Sequence, residues 1–379
     1  MSNTLTGLIP TIYKALNVVS REMVGFIPAV RGNATDQNGI ATAAKDQTVR
    51  VPIAPQDDLE VIAPGTIKDS GDNTMSYVDI KMDQYYAYPI RYESEEQLSL
   101  GIQYGGILQQ QFEQAFRTFA AAIEVDLGGL YAAASRAYGT AGTAPFSSSL
   151  ADAAQIRKIL DDNGAPSVGR SLVVNSLAGA NMRSLASLNA DYAAGTDQTL
   201  RQGTLLPLMG LDVKESSGIS VHTKGTATGF DDVGGHVVGD TTIAVDGSDS
   251  GTILAGDVVT WVGDTNKYLV TSTTASGSAA GNIVVGQNGL RQTLAAGVEG
   301  AIGDSYSANL AFHRDAIVLA SRRPVGGDEA VDEMIITDPL TGISFRLAKY
   351  AQYMRSKLEI QLLWGVKCIK PEHCAVLLG

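Results

Sequence analysis

Residues 225–305 differ in composition from the rest of the chain, and this segment places the tightest limit on the fold. It contains 16 of the chain's 41 glycines, nine acidic residues and two basic residues, Lys267 and Arg291. Short β-branched runs recur between Gly and Asp turns, at 242–245, 258–262, 268–272 and 283–285. This spacing predicts an all-β module, and closure into a small barrel is favoured because it leaves no unpaired edge. Because the module interrupts an α/β sequence, we expect an inserted domain.

The longest helical signal lies between residues 107 and 138. Apolar residues repeat there at spacings of three and four: Phe112, Phe116, Phe119, Ile123, Leu127, Leu130 and Ala134. This is the period of one face of an α-helix. Glu93, Glu95 and Glu96 precede it, where a helix N-terminus favours negative charge. We expect a single helix over about 107–138 that forms the backbone of the molecule.

The first ninety residues suggest a tethered helix followed by a long hairpin. Residues 1–31 carry a helical stripe that includes Ile12 and Leu16, and a polar loop follows. An arm that reaches a neighbour and a helix packed on its own body both fit this pattern. Two segments with period-two alternation then flank a polar centre: Val49, Val51 and Ile53, and Val78, Ile80 and Met82. The apolar side of such a hairpin needs another surface to cover it.

Helices and short strands mix from 150 to 220, and strand-like segments return after the β module. The predicted helices lie at 151–163 and 177–188, and the predicted strands at 171–174, 316–320 and within 343–363. The chain ends on the apolar run 375–378, which we expect to lie in a sheet.

The charge balance and the cysteines exclude several classes of protein. With 28 basic and 40 acidic residues the net charge is −12, which disfavours a nucleic-acid reader that works by counterion release. Such a chain could still enclose nucleic acid without gripping it. There is no apolar run of about 18 residues for a membrane helix, and the start lacks the pattern of a signal peptide. Two cysteines, Cys368 and Cys374, exclude a disulfide framework and fit a reducing cytoplasm.

Two Asp-Ser-Gly tripeptides are the strongest candidates for catalysis. Aspartic proteases use two such turns so that two carboxylates share one proton. That design needs apolar strands leading into each aspartate, whereas Lys68 precedes Asp69 and Ser248 precedes Asp249. Both tripeptides are therefore predicted to be ordinary turns. Serine-nucleophile, phosphate-loop and dinucleotide motifs do not occur in the sequence.

The residues that could bind a metal ion are also too few, or too scattered in the sequence, to predict a metal site. The four histidines are His222, His236, His313 and His373, and none pairs at helical ligand spacing. His373 with Cys368 and Cys374 supplies three ligands where structural zinc takes four. The aspartates at 231, 232, 240, 246, 249, 257 and 264 lack EF-type spacing, and Arg322-Arg323 is too small for a nucleic-acid patch. We predict no catalytic, cofactor-binding or metal site, no cofactor and no enzymatic activity.

Several segments resemble parts of tailed-phage major capsid proteins. The match is carried by Asn309–Ala320 with Arg323-Pro324, by Gly342–Arg346, Tyr353-Met354, Leu363–Lys367 and Pro371-Glu372, and by Leu211–Ser216 before the insert. An inserted β domain at this point is typical of coat proteins from certain short-tailed phages. The resemblance implies an α+β chain with the HK97-like capsid fold.

On this resemblance the chain divides into six parts. They are an N-terminal arm (1–46), an extended-loop hairpin (47–90), a peripheral domain with the spine helix (91–144), a first axial part (145–224), an inserted β domain (225–305) and returning axial and peripheral strands (306–379). The implied function is a major capsid protein that self-associates, as pentamers and hexamers, into an icosahedral shell. Its location would be the virion, after assembly in the bacterial cytoplasm.

The same resemblance implies partners and leaves alternatives open. The implied protein partners are other copies of the chain, a scaffolding protein, a portal and, in some cases, a decoration protein. Packaged double-stranded DNA would be enclosed without sequence-specific contact, and no association with a membrane is implied. Arm and hairpin are expected to present apolar area that only neighbours cover. The alternatives are the shell of an encapsulin-type nanocompartment, a secreted adhesin or carbohydrate-binding module, and a hydrolase that uses Asp69 and Asp249.

Overall fold

The computed structural model describes residues 5–19, 24–32, 42–53, 75–100, 104–189, 198–246, 251–275, 281–326, 330–339, 341–353 and 355–379. The α-helices are α1 (Ile9–Val19), α2 (Ser94–Leu100), α3 (Tyr104–Gly128), α4 (Ala151–Asp162), α5 (Ser176–Ser184), α6 (Ala186–Asn189) and α7 (Gln198–Gln202). Short 3₁₀ helices span Leu5–Leu8, Gly129–Ala133 and Pro371–His373.

The strands before the β module are β1 (Arg31–Gly32), β2 (Thr42–Ala43), β3 (Thr48–Ile53), β4 (Ser76–Lys81), β5 (Gln84–Glu93), β6 (Arg136–Tyr138), β7 (Arg170–Val174), β8 (Asp212–Glu215) and β9 (Val221–His222). Those of the module are β10 (Phe230–Asp232), β11 (Thr242–Asp246), β12 (Val258–Trp261), β13 (Lys267–Thr273), β14 (Gly281–Val285) and β15 (Glu299–Ile302). The remaining strands are β16 (Tyr306–His313), β17 (Ile317–Pro324), β18 (Asp332–Thr337), β19 (Ser344–Gln352), β20 (Arg355–Cys368) and β21 (Cys374–Leu378).

The chain forms two compact units. The first draws mainly on Gly32–Ser99 and Leu319–Val366, and the second on Thr6–Arg31, Leu100–Val318 and Lys367–Gly379. Each unit is therefore assembled from segments that are distant in sequence.

The first unit contains an antiparallel sheet and a separate two-stranded hairpin. In the sheet, β18 pairs with β19, β19 with β20, and the other edge of β20 with β5. The hairpin joins β3 to β4, with Val49 opposite Ile80 and Val51 opposite Val78. The period-two alternation therefore placed both hairpin strands correctly, because one face of each is buried.

In the second unit α1 packs on the long helix α3. This helix begins at Tyr104 and ends at Gly128, so the expectation of one helix to residue 138 was wrong. A Cβ atom on Gly128 would lie 2.0 Å from the carbonyl oxygen of Gly218, so another chain segment touches the helix at this point. After the 3₁₀ turn, Ala134 is extended (φ −67°, ψ 155°) and the chain enters β6. The helix therefore ends because of a tertiary contact, although the apolar repeat in the sequence continues to Ala134.

The body of the second unit is a mixed sheet in the order β6-β21-β16-β7-β8. The C-terminal strand β21 lies between β6, which is parallel to it, and β16, which is antiparallel. All five of its residues are buried, which confirms that the chain end lies in a sheet. Helix α4 covers one side, where Ile156 and Leu160 join a hydrophobic cluster with Leu172 and Leu377.

The β module closes into a six-stranded antiparallel barrel. Its strands follow the order β12-β15-β10-β11-β14-β13, and β13 pairs back with β12 to complete the ring. A hydrophobic cluster fills it, with Trp261, Phe230, Tyr268 and Ile283 among its buried members. The predicted barrel is thus confirmed, and its core is built from residues of the module itself.

Candidate assembly surfaces

The hairpin of the first unit has an apolar face that is already covered. Val49 and Val51 are 3% and 6% exposed, and Ile80 is fully buried. Gly365 of β20 packs against this face: a Cβ atom there would lie 2.2 Å from the carbonyl oxygen of Lys81. The expectation that only neighbouring subunits cover this apolar area was therefore wrong for the described part of the hairpin. Its central residues 54–74, including Asp69-Ser70-Gly71, lie outside the described residues.

The opposite face of the hairpin is polar and aromatic, and solvent reaches it. Arg50 and Asp79 stand directly across the two strands and form an ion pair of 2.9 Å. The Arg50 guanidinium also lies 5.7 Å from the ring centre of Tyr77, which is 44% exposed. Met75, just before β4, is 57% exposed. Aromatic, Met and Arg side chains are enriched in protein interfaces, so this outer hairpin face is a candidate contact surface.

Strand β5 adds two further tyrosines to the exposed surface of the first unit. Tyr86 is 54% exposed, and its ring centre lies 5.3 Å from that of the buried Trp364. Tyr85 is 41% exposed, and burial of its hydroxyl raises its pKa. Tyrosine side chains are enriched in protein interfaces. Because they are consecutive residues of one strand, Tyr85 and Tyr86 point to opposite faces of the sheet, so each face of β5 carries one exposed tyrosine.

The arm helix is likewise covered within the chain. Ile12 and Leu16 of α1 are 1% and 3% exposed, and α1 packs on α3. The two interpretations left open by the sequence are thus resolved for the described residues: this helix packs on its own body. The expectation that the arm needs a neighbour to cover its apolar stripe was also wrong.

A buried carboxylate fastens the segment after the arm helix to the long helix. Glu124 of α3 is 2% exposed and accepts hydrogen bonds from the backbone N–H groups of Gly25, Phe26 and Ile27 at 3.2, 2.9 and 2.8 Å. The hydroxyl of Ser216 donates to the same carboxylate. Four donors compensate for taking this charge out of water. We call this arrangement the Glu124 clamp.

Close backbone contacts surround the Glu124 clamp. A Cβ atom on Gly25 would lie 2.6 Å from the carbonyl oxygen of Glu215, and one on Gly218 would lie 2.5 Å from the backbone of Glu124. Next to the clamp, the ring of Phe26 stacks on that of Phe312 at 6.1 Å. The sequence analysis missed Glu124, because a lone glutamate beside an apolar helical stripe looks like an ordinary exposed position.

A polar cluster lies where the chain enters and leaves the barrel. The two ring nitrogens of His222 contact the Tyr131 hydroxyl at 2.8 Å and the Asp257 carboxylate at 2.9 Å. Asp257 is fully buried and also accepts from the backbone N–H of Leu254 and Gly225. The Tyr306 hydroxyl donates to the carbonyl of Gly256, and burial raises the pKa of Tyr306. His222 and Tyr306 of the body thus bond to Asp257 and Gly256 of the barrel segment, so the cluster fastens the barrel to the body.

The other sequence candidates are scattered over the structure. His313 and His373 lie edge to face, with ring centres 6.1 Å apart. The sulfur atoms of Cys368 and Cys374 are 3.6 Å apart, and both thiols are free. Of the second tripeptide, Asp249 and Ser250 lie outside the described residues. Among the described residues, no three His, Cys, Asp or Glu side chains come together as metal ligands.

The described aspartates of the β module mostly cap turns. Asp232 accepts from the N–H of Gly235, Asp240 from that of Val237, and Asp264 from that of Asn266. Such side-chain-to-backbone bonds are the reason that Asp is common in tight turns.

In the described part of the chain, no helix is both long and apolar enough to cross a membrane.

No protein-family model and no curated protein matches the chain. Solved structures do match. A chain in the capsid structure of the cyanophage P-SCSP1u superposes with a TM-score of 0.51 at 11% identity, over 94% of this chain and 88% of that one. A chain of Mycobacterium phage Che8 gives 0.47 at 14% identity over 88% and 85%. A chain of the virus-like particle from Pyrococcus furiosus gives 0.43 at 8% identity over 97% and 98%.

The likeness to the cyanophage chain extends along nearly the whole length of both chains. The fold of this protein is therefore that of a phage capsid chain, and the expected α+β, HK97-like fold class is confirmed. At 11% identity the match establishes the fold alone. A function must also be argued from the exposed surfaces of this chain.

Proposed function

We propose that this chain is a major capsid protein whose copies associate into the icosahedral shell around the double-stranded DNA genome of a tailed bacteriophage. The observation that carries the proposal is the superposition on the cyanophage capsid chain over 94% of the sequence. The same proposal includes a scaffolding protein, a portal and expansion of a first-formed procapsid.

The outer hairpin face and the tyrosines of β5 supply the contacts in this proposal. Because the apolar side of the hairpin is buried in its own subunit, neighbours would meet a preformed face that includes Arg50, Met75 and Tyr77. Preformed surfaces lower the entropy cost of association, since few groups become ordered on contact. Repetition of one contact under closed symmetry then builds a shell.

The acidic character of the chain suits storage of DNA. A net charge of −12 repels phosphate, so the shell would enclose the genome without fixing it in place. During expansion, the Glu124 clamp would keep the residues that follow the arm helix attached to α3. Expansion would then move α3 and this segment together as one piece.

The proposal is tested by the assembly state of the purified full chain, alone and after co-expression with a candidate scaffolding protein. Negative-stain electron microscopy and sedimentation velocity should show closed shells or polyheads in at least one of the two samples. Particles that never exceed dimers in both samples would contradict the proposal.

The nanocompartment alternative makes a different prediction about particle contents. Shells purified after phage infection should contain double-stranded DNA, whereas an encapsulin-type shell should contain a protein cargo. The barrel insert favours a phage coat over a nanocompartment shell, because inserted β domains are typical of the coat proteins that the sequence resembles. The chain is no more similar in structure to the particle from Pyrococcus furiosus than to the cyanophage capsid chain. Nuclease-protected DNA in the particles would support the coat, and a co-purifying enzyme without DNA would support the alternative.

A further inference from the structure

The barrel meets the body through the only two basic residues of segment 225–305. Strand β13 pairs with β6, with Lys267 opposite Ala137 and Tyr268 opposite Arg136. The ammonium of Lys267 donates to the carbonyl of Gly139. The guanidinium of Arg291 donates to the carbonyl of Asp162 and the side-chain oxygen of Asn163, both at 2.8 Å. A module that is otherwise acidic thus directs both of its cations toward the body.

A cavity of about 370 Å³ opens at this seam. It is lined by β6, by α4 and by the turn before β13. Its charged lining residues are three cations, Arg136, Lys158 and Lys267, and one anion, Asp162. Thr140, Gln155 and Thr265 add hydroxyl and amide groups. In a chain whose net charge is −12, this cavity has a local excess of positive charge.

The positive charge at the floor of the cavity is incompletely neutralised. The Arg136 side chain is 6% exposed, and the carboxylate paired with it, that of Asp162, is 3.4 Å away and 41% exposed. The Arg136 Nε–H has no hydrogen-bond partner among the described residues. Its other nitrogens contact Asn266, Asn163 and the carbonyl of Ile159 at 3.1 to 3.5 Å. Burial, followed by repulsion from Arg291, lowers the pKa of Arg136.

The two other carboxylates near Arg136, those of Asp161 and Asp264, are engaged elsewhere. Asp264 accepts the hydroxyl of Tyr268 at 2.7 Å and the amide of Asn266. Asp161 pairs with Arg170 at 2.6 Å and with Arg157. Leaving a buried guanidinium short of acceptors costs free energy. The unpartnered Nε–H is closed to solvent, so an anion in the cavity would offset this cost by stabilising the positive charge of Arg136 through the electrostatic field.

We propose that this seam cavity binds a small tetrahedral oxyanion of the phosphate or sulfate type. Guanidinium and ammonium groups that converge with hydroxyl and amide donors are the usual partners of such an anion. The bound anion would lie between β6, α4 and the turn before β13, so it would strengthen the attachment of the barrel to the body. The inference does not depend on shell formation, because every residue named lies in one subunit.

Isothermal titration calorimetry of the unassembled full chain with inorganic phosphate tests the proposal, with sodium chloride holding ionic strength constant. Saturable binding of one phosphate per chain is expected. Lys158→Gln, an exposed lining residue whose loss should leave the fold intact, is expected to weaken binding about tenfold. The matched control is Lys14→Gln, an exposed lysine on α1 outside the cavity, which should bind as the unaltered chain does.

Absence of saturable binding in the unaltered chain would overturn the proposal, as would equal weakening by both variants. A short DNA duplex that binds at this cavity while free phosphate does not would also overturn it, in favour of a nucleic-acid contact. Because these outcomes are read from single subunits, they are independent of whether the chain assembles into a shell.

Discussion

The barrel and the hairpin are both antiparallel β structures, but they bury their apolar side chains in different ways. The barrel closes on itself and fills its interior with residues of its own module, such as Trp261 and Ile283. The hairpin cannot close, so it buries one face against its unit and leaves the other exposed, with Tyr77 at its surface. The comparison shows that the barrel core is self-contained, whereas the hairpin has an exposed face that is free for the assembly contact proposed above. Substitutions should therefore affect folding in the barrel and association in the hairpin.

The largest effect is expected from Trp261→Ala in the barrel core. Trp261 is 2% exposed, and its ring lies edge to face with that of Phe230 at 5.2 Å. Removing a buried aromatic ring should lower the free energy of unfolding by about 3–5 kcal/mol. Urea denaturation followed by circular dichroism measures this change. Tyr77→Ala on the hairpin is the comparison variant and should change stability by less than about 0.5 kcal/mol. Equal losses in both variants would contradict the division between the two regions.

The next largest effect is expected from Glu124→Gln, which weakens the Glu124 clamp. An amide keeps the shape but has one acceptor oxygen in place of two, so some of the four donors lose their partner. The free energy of unfolding should fall by about 2–3 kcal/mol. Amide hydrogen exchange should report faster exchange at Gly25, Phe26 and Ile27.

The matched control for the clamp is Glu113→Gln on the same helix. Among the described residues, Glu113 accepts one hydrogen bond from a side chain, that of Gln109 at 3.0 Å, and it is partly exposed. Its replacement should alter stability by less than about 0.5 kcal/mol. If the two variants behave alike, the clamp does not hold the residues that follow the arm helix.

The smallest effect concerns the base of the hairpin, where Lys81 and Asp46 pair at 2.7 Å. The hydrogen bond from Lys81 lowers the pKa of Asp46. A lowered carboxyl pKa contributes stability above the ordinary value of about 3.9, and this is lost as the pH falls through the folded-state value. Lys81→Met should return the pKa of Asp46 to its ordinary range, as measured by an NMR titration of the carboxyl carbon.

The control for this titration is Lys224→Met. Lys224 lowers the pKa of Asp304 through an equivalent exposed pair at 2.6 Å. This variant should raise the pKa of Asp304 and leave Asp46 unchanged. A shift of Asp46 in both variants would mean that the general charge of the chain, rather than the local pair, sets its pKa.

The sequence predicted those parts of the fold in which local periodicity and burial coincide. The alternation at Val49 and Val51 located the hairpin, and Gly-separated β-branched runs located a closed barrel. The end of α3 was missed because Gly128 is in contact with Gly218, ninety positions away in the sequence. Glu124 and Arg136 were missed for a related reason: their partners are brought together only by the tertiary structure.

The candidate surfaces were predicted less well than the elements that form them. Hairpin and arm were expected to show apolar area to neighbours, yet Val49, Ile80 and Ile12 are buried within the chain. Period-two and helical patterns identify which face of an element is apolar, and they do not say which surface covers it. The exposed outer face, with Tyr77, emerged only from the packed structure.

The most direct test of the account compares Tyr77→Glu with Tyr13→Glu in shell assembly. The two tyrosines are 44% and 43% exposed, and Tyr13 lies on α1 rather than on the hairpin. Sedimentation velocity and negative-stain microscopy of both variants, under the conditions in which the unaltered chain assembles, would report the assembly state, with circular dichroism as a check on folding. The account predicts that Tyr77→Glu remains folded and unassembled while Tyr13→Glu forms closed shells. Normal shells from a folded Tyr77→Glu would contradict the proposed role of the outer hairpin face in assembly.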